Sequence, residues 1–415
     1  KALTANTTGT SNVAIGKDAL EKNTTASNNT AVGFKSLEEN TTGASNAALG
    51  RHSLTANTTG AVNTAIGADA MEANTTGANN TAVGGGALAT NTTADDNTAI
   101  GRSALLSNTT GDENVAVGRS ALEANTTGYE NTSIGTQSME ANTEGYYNVA
   151  VGMQALEDNT TGDLSTAIGW RALQNNTTAN TNVAIGSQAL LTNTTGTENS
   201  GLGYASLYSS TTSSYNTAAG HKAAFSNTTG TSTVAVGHHA LYAQTTGSAN
   251  VGVGRSAMED LTTGSDNTAV GHYAGANLTT SSGNVNVGYA AGNAMTTGYE
   301  NVAVGKNAGV AINTGFKNVM LGFNAGDTTT VGDYNIIIGA DADVSATNTE
   351  HEIVIGSSGT GKGSNTFFAA PASGSVYNIA NSTTWNQTSD RRIKKNIVDN
   401  NQGLEIINQI RVRNF

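Results

Sequence analysis

Apolar residues recur along this chain at fixed places in a 17-residue cycle, which runs from Gly16 through Gly33, Gly50 and Gly67 to Gly356 with no residue inserted or lost. In the type repeat, Val13-Ala14-Ile15 alternates β-branched, small and β-branched, which predicts a short strand ended by Gly16. Ala19-Leu20 predicts a second short strand, and Asn23-Thr24-Thr25 leads into a turn that Gly closes in other repeats, as at Gly43, Gly60 and Gly77. A unit this short cannot close its own core, and a leucine-rich repeat carrying a helix needs roughly 20–29 residues. The pattern therefore predicts an all-β fold, a parallel β-solenoid (β-roll) of about 21 rungs, each with two strands and two turns.

Stacked in register, each position becomes a column, and rungs at roughly 4.8 Å give a shaft on the order of 100 Å. The Ile15, Val32, Leu49 and Ile66 column, broken only by Ala219, is expected to be the buried seam, with Leu20, Leu37, Leu54, Met71 and Leu88 as a second apolar column. Asn12, Asn29, Asn46, Asn63 and Asn80 are expected to form a buried carboxamide ladder, interrupted where Ser165 and Thr233 replace Asn, and Gly16, Gly33 and Gly50 to end the strands. With Val13 and Ile15 inward, Ala14, Ala31, Ala48 and Ala65 face outward, and a strand apolar on both faces calls for cover on both. This predicts packing of several chains around a shared axis. The competing arrangement puts Ala14 inward at a narrow corner of a single-chain coil. After Gly271 the Leu column becomes Gly275, Gly292, Gly309 and Gly326, which suggests a thinner distal shaft.

Composition narrows the functional classes. Charged residues make up only 12% and the net charge is −12, which argues against a nucleic-acid surface built from clustered Lys and Arg. The absence of Cys removes disulfides and thiolate metal sites, and no apolar run is long enough to span a membrane. Ala2, Leu3, Asn6 and Gly9 match the second half of a repeat, so the shaft is expected to begin mid-repeat and to occupy residues 1–356. A Gly/Ser-rich exit or neck follows over 357–388, and a truncated C-terminal domain over 389–415, where Leu404, Ile407 and Ile410 have the spacing of a short helical segment.

The recurrent N-[TV]-A-[IV]-G strand resembles the head of trimeric autotransporter adhesins, and the N-T-T-G arrays resemble the shafts of phage tail fibres. The resemblance implies a left-handed roll in a homotrimer. It covers about Asn12 to Gly356, but head repeats of that family are shorter, nearer 14 residues, and lack the N-T-T-G turn. Ser389-Asp390-Arg391-Arg392-Ile393-Lys394-Lys395-Asn396-Ile397 is similar to the start of the intramolecular chaperone domain that ends tail spikes and endosialidases. What that resemblance implies is trimerisation followed, in many members, by self-cleavage, with Ser389 and Lys394 in the catalytic positions. In this chain the sequence continues past Ser389 to Phe415.

The two positions after each strand-ending Gly vary, and variable turns are where a uniform rod can carry recognition. Phe34, Trp170, Arg171, Tyr204, His238, His239, Tyr273 and Tyr289 are the candidate ligand-binding residues there, aromatic and basic side chains on a Thr/Asn surface. The plainer account is an exposed turn without a ligand. His221 and His238 stack one rung apart beside His239, but no carboxylate lies in their column, which favours surface imidazoles and no metal. Glu123, Glu140 and Glu157 line up as a solvated acidic face, and most N-T-T triplets are also N-glycosylation acceptors that turn geometry explains equally well.

No phosphate-binding loop, nucleophile elbow or pocket-forming irregularity is evident, so no cofactor and no external catalysis are expected. The expectation is a structural and adhesive extracellular fibre shaft, on a virion or cell surface, that binds a glycan or protein receptor. An ice- or crystal-surface binder and a depolymerase spike are the competing classes. Thr24 and Thr25 are adjacent in a turn and lack the strand-borne Thr-x-Thr spacing the first would use.

Overall fold

In the computed structural model, residues 1–370, 374–379 and 382–387 are described. Every repeat contributes one three-residue strand, from β1 (Val13–Ile15) and β2 (Thr30–Val32) to β21 (Ile353–Ile355). Each strand pairs in parallel with the next without a slip, Val13 with Thr30 and Ile15 with Val32 at the start, Ile336 with Ile353 and Ile338 with Ile355 at the end. The fold is a regular all-β parallel solenoid, and no helix occurs among the described residues.

The expected second strand per rung is absent. Leu20, Leu37 and Leu54 have φ of 49°, 52° and 52°, the left-handed region, and Asp18 and Lys35 before them have φ of 61° and 59°. Backbone that turns this tightly cannot extend. It still bonds from rung to rung: the Leu20 amide donates to the Ser36 carbonyl at 3.0 Å and the Lys22 amide to that of Glu38 at 3.0 Å. Turn backbone is thereby satisfied by stacking, as the strands are.

The strands face the opposite way to the leading expectation. Ala31, Ala65, Ala82 and Ala99 are fully buried, whereas Ile15 is 60% and Leu49 50% exposed. The reason is the width of the coil. The Leu column fills the interior from the opposite wall, and where Gly replaces Ala in the strand, at Gly252 and Gly201, an added Cβ would lie 3.0 Å from Leu241 Cγ and 3.4 Å from Leu190 Cδ1. Only a small residue, Ala, Gly or Ser, fits opposite Leu, so the β-branched positions turn outward. With this reversal the Ala column lies inside its own coil and calls for no second chain to cover it.

Two amide ladders run through the interior. In the expected one, Asn12 Oδ1 accepts from the Asn29 amide at 2.9 Å and Asn29 Oδ1 from the Asn46 amide at 2.8 Å. A second, formed by the Asn of each N-T-T triplet, links side chain to side chain: Asn40 Nδ2 donates to Asn23 Oδ1 at 2.9 Å. The ladders converge on the turn carbonyl, since Asn29 and Asn40 both donate to Gly43 O at 3.0 Å. Asn23, Asn40 and Asn57 are fully buried, so the acceptor nitrogen of the glycosylation triplet is consumed inside the folded rod. The first Thr of the triplet also spends its hydroxyl on the next rung, Thr41 Oγ1 donating to Thr58 O at 3.0 Å, which leaves only the second Thr of the triplet facing solvent.

From Leu261 onward, core volume is redistributed between columns. Gly275, Gly292 and Gly309 keep the left-handed turn at φ of 54°, 58° and 57°, where Gly carries none of the strain a Leu bears. Leu261, Leu278, Met295 and Ile312 enter the second ladder in place of Asn and are fully buried, and Met320 and Ile337 enter the Ala column. The Met320 side chain occupies the space beside Gly309 and Gly326.

The first ladder ends at Glu352, fully buried where an Asn would stand. Its carboxylate accepts from the Ser345 amide at 3.0 Å, the Ser345 hydroxyl at 3.1 Å and the Gly363 amide at 2.8 Å. A shorter coil then brings β22 (Phe367–Ala369) into parallel pairing with β21, after which β23 (Val376–Asn378) and β24 (Trp385–Gln387) run antiparallel. Ser389, Lys394 and the helical spacing at Leu404 lie outside the described residues.

Candidate functional site

Two features mark the outer surface: an apolar stripe on the strands and, in the turn that follows, a ridge of aromatic and basic side chains. The stripe is the outward third strand position, with Ile15, Leu49, Ile66, Ile100, Ile134, Ile168 and Leu202 all among its exposed members. Gly then turns the chain. Gly50 has φ of 144°, and a Cβ there would sit 2.2 Å from the Gly67 carbonyl oxygen of the next rung. This close approach makes Gly obligatory and fixes where the next side chain emerges.

The residue after the Gly points to solvent and the one after that is left-handed, as in His239 (φ 57°) and Arg171 (φ 56°), so two successive side chains share one outer edge. Trp170 is 42% exposed with the Arg171 guanidinium 5.3 Å from its ring, and Phe34 lies 5.4 Å from His52 with Lys17 at 5.7 Å. From Tyr204 onward the column becomes nearly continuous. Tyr204 stacks on His221 at 5.3 Å, His221 on His238 at 5.0 Å and 8° between ring planes, and His238 on His239 at 4.0 Å. Further along, His272 contacts Tyr273 at 4.0 Å and Tyr289 at 5.6 Å, and Lys306 reaches the Tyr289 ring at 5.9 Å. The structure thus joins Tyr204, His238 and His239 into one patch and Tyr273 and Tyr289 into its extension, while Phe34 stands apart.

No protein-family model matches this sequence, and no curated protein matches it. The chemistry of the surface therefore rests on the residues themselves.

A carboxylate reaches the imidazoles from outside their own column: Glu259 Oε1 is 3.1 Å from His239 Nδ1. Desolvation of the His238 ring, and then the positive charge that His239, His221 and Arg255 can carry, hold its pKa below the ordinary histidine value. The Tyr208–Phe225–Tyr242 stack, at 4.9 Å and 5.3 Å, borders the patch, and Tyr242 lies 4.8 Å from His239. A further stack, Tyr129 on Tyr146 at 5.0 Å, lies on the N-T-T-G turn. Both stacks are visible as 17-residue recurrences in the sequence, at positions outside the post-Gly column.

Two members of the acidic column are committed to neighbours, Gln137 donating to Glu140 at 2.8 Å and Gln154 to Glu157 at 2.9 Å. Among the described residues, no helix is long and apolar enough to cross a membrane.

Proposed function

We propose that this chain is the structural and adhesive shaft of an extracellular fibre, a phage tail fibre or a bacterial surface adhesin, in which copies associate along the apolar stripe. The ridge of Trp170, Tyr204, Tyr273 and Tyr289 then faces a cell-surface glycan or protein receptor. The observation that carries this reading is the stripe itself. Ile, Val or Leu holds this outward position on every rung but that of Ala219, exposed on 12 of 21 and half-buried on the others, and about 100 Å of length by about 10 Å of width gives on the order of 1,000 Å² per chain, the scale of a stable interface. A second copy offers the one surface that repeats at the same spacing over the same length. Three copies rather than two follows from the resemblance to trimeric β-roll heads. Uniform rungs serve a spacer and a display surface, and the proposal includes no catalysis on an external substrate.

Light scattering coupled to size exclusion tests the reading on the full chain. A mass of three chains is expected, together with a single-chain mass for Ile66→Lys/Ile100→Lys/Ile134→Lys and an unchanged circular dichroism spectrum. A single-chain mass for the native sequence at micromolar concentration overturns the association. Binding to the receptor-bearing cell that is retained after Trp170→Ala/Tyr204→Ala/Tyr289→Ala overturns the role of the ridge.

A further inference from the structure

Three groups of described His, Asp and Glu residues bring their ligand atoms within 4.8 Å of one another. Two of them are already neutralised by the chain's own cations. Arg51 binds Asp69 at 2.7 Å in the His52–Asp69–Glu72 group, and the N-terminal amine and Lys35 bind Asp18 and Glu38, each at 3.0 Å, in the other. The third, His221–His238–His239, has three imidazoles and no cation bonded to it.

We propose that His221, His238 and His239 form a binding site for one borderline divalent transition-metal ion per chain, of which Zn²⁺ is the reference case. Imidazole nitrogen is a preferred donor for this class of ion and a poor one for Mg²⁺ or Ca²⁺. Parallel in-register stacking delivers His221 and His238 to the same edge of successive rungs, and the left-handed backbone at His239 swings the third ring onto that edge. The resulting ring centroids lie 5.0, 4.0 and 5.7 Å apart. Tetrahedral zinc with Zn–N of about 2.0–2.1 Å needs nitrogens roughly 3.3 Å apart. His221 and His238 are exposed, so side-chain rotation alone can close the remaining gap.

Glu259 supplies the supporting element. An ionised carboxylate only accepts, so its contact with His239 Nδ1 at 3.1 Å places the proton there and leaves the Nε2 lone pair for the ion. This is the carboxylate–histidine–metal arrangement by which outer groups orient a ligand and raise its basicity. Tyr204 and Tyr242 flank the cluster at 5.3 Å and 4.8 Å and limit its motion along the rod. Arg255, one rung on, is directed toward the Tyr273 ring at 6.0 Å. All ligands belong to one chain, so the site does not depend on association along the stripe.

The test is titration of ZnCl₂ into the tag-free, chelator-stripped full chain, by calorimetry and by competition with a chromophoric chelator, with Co²⁺ absorbance as a second readout. One ion per chain is expected. His221→Ala and His238→Ala each weaken binding at least tenfold, Glu259→Gln weakens it about tenfold, and His272→Ala leaves it unchanged. Circular dichroism of each variant checks that the rod is intact. Absence of binding to the native chain overturns the proposal, as does affinity retained in the His221→Ala/His238→Ala variant or lost in His272→Ala.

Discussion

Gln244 Nε2 donates to Thr233 Oγ1 at 2.9 Å and to the Gly247 carbonyl at 2.8 Å. Thr233 stands where the first ladder has Asn, and Gln244 where the second has Asn. The longer amide of one reaches the shorter hydroxyl of the other, so two irregularities eleven residues apart form a single repair. Gln244→Asn is expected to cost about 1–3 kcal/mol, the penalty for a buried polar group left without its partner. Thr233→Asn/Gln244→Asn rebuilds two regular ladders and recovers most of that loss. Urea denaturation of the single and double variants measures the coupling, and additive effects would contradict it.

Facing of the strand is tested by swapping volume. Ala116→Leu adds bulk to a fully buried position opposite the Leu column and should destabilise by about 1–3 kcal/mol or more, whereas Val117→Leu next to it adds bulk on the outward face and should be near neutral. The reverse ranking in denaturation midpoints would restore the outward Ala.

Two glycines separate backbone necessity from mere composition. Gly50→Ala forces a Cβ onto the Gly67 carbonyl at a φ of 144° and is expected to cost at least about 1–3 kcal/mol. Gly85→Ala meets only the Ala68 carbonyl, at 3.9 Å, and should leave the melting temperature within about 1 °C of the native value.

His238 should titrate below the usual 6.5, because desolvation and the neighbouring imidazoles oppose its protonation. Its unfolded form then takes up protons first. Its share of stability is fully present above the unfolded value and is lost as pH falls from there through the lower folded value. An NMR titration of the His238 Cε1 proton gives the folded pKa directly; a value at or above the usual 6.5 would remove the effect.

The rod, its parallel register and the Asn12 ladder were legible in the sequence because a fixed period converts each position into a column. Which strand face is buried was not. Val13-Ala14-Ile15 is apolar in both phases, and the deciding quantity is the space left opposite Leu20, which depends on the far wall of the coil. The second strand failed for a related reason: Ala19-Leu20 is apolar enough for a strand, but the coil turns there through left-handed Leu, a conformation that side-chain type argues against. At the ridge, reading down the post-Gly column found Tyr204, His238 and Tyr289. The same reading missed Glu259, which sits one rung and three residues from His239, across columns rather than along one.

Glu352 gives the ladder an end. Every Asn before it offers both an acceptor and a donor, so each rung is a template for another like it, the same logic that lets cross-β stacks grow without limit. A buried carboxylate accepts from both sides and donates to neither. The coil that follows meets it with donors, the Gly363 amide and, at 3.4 Å, the Thr366 hydroxyl. One side chain thus closes a self-templating pattern and hands the chain on to a shorter coil and then to antiparallel strands.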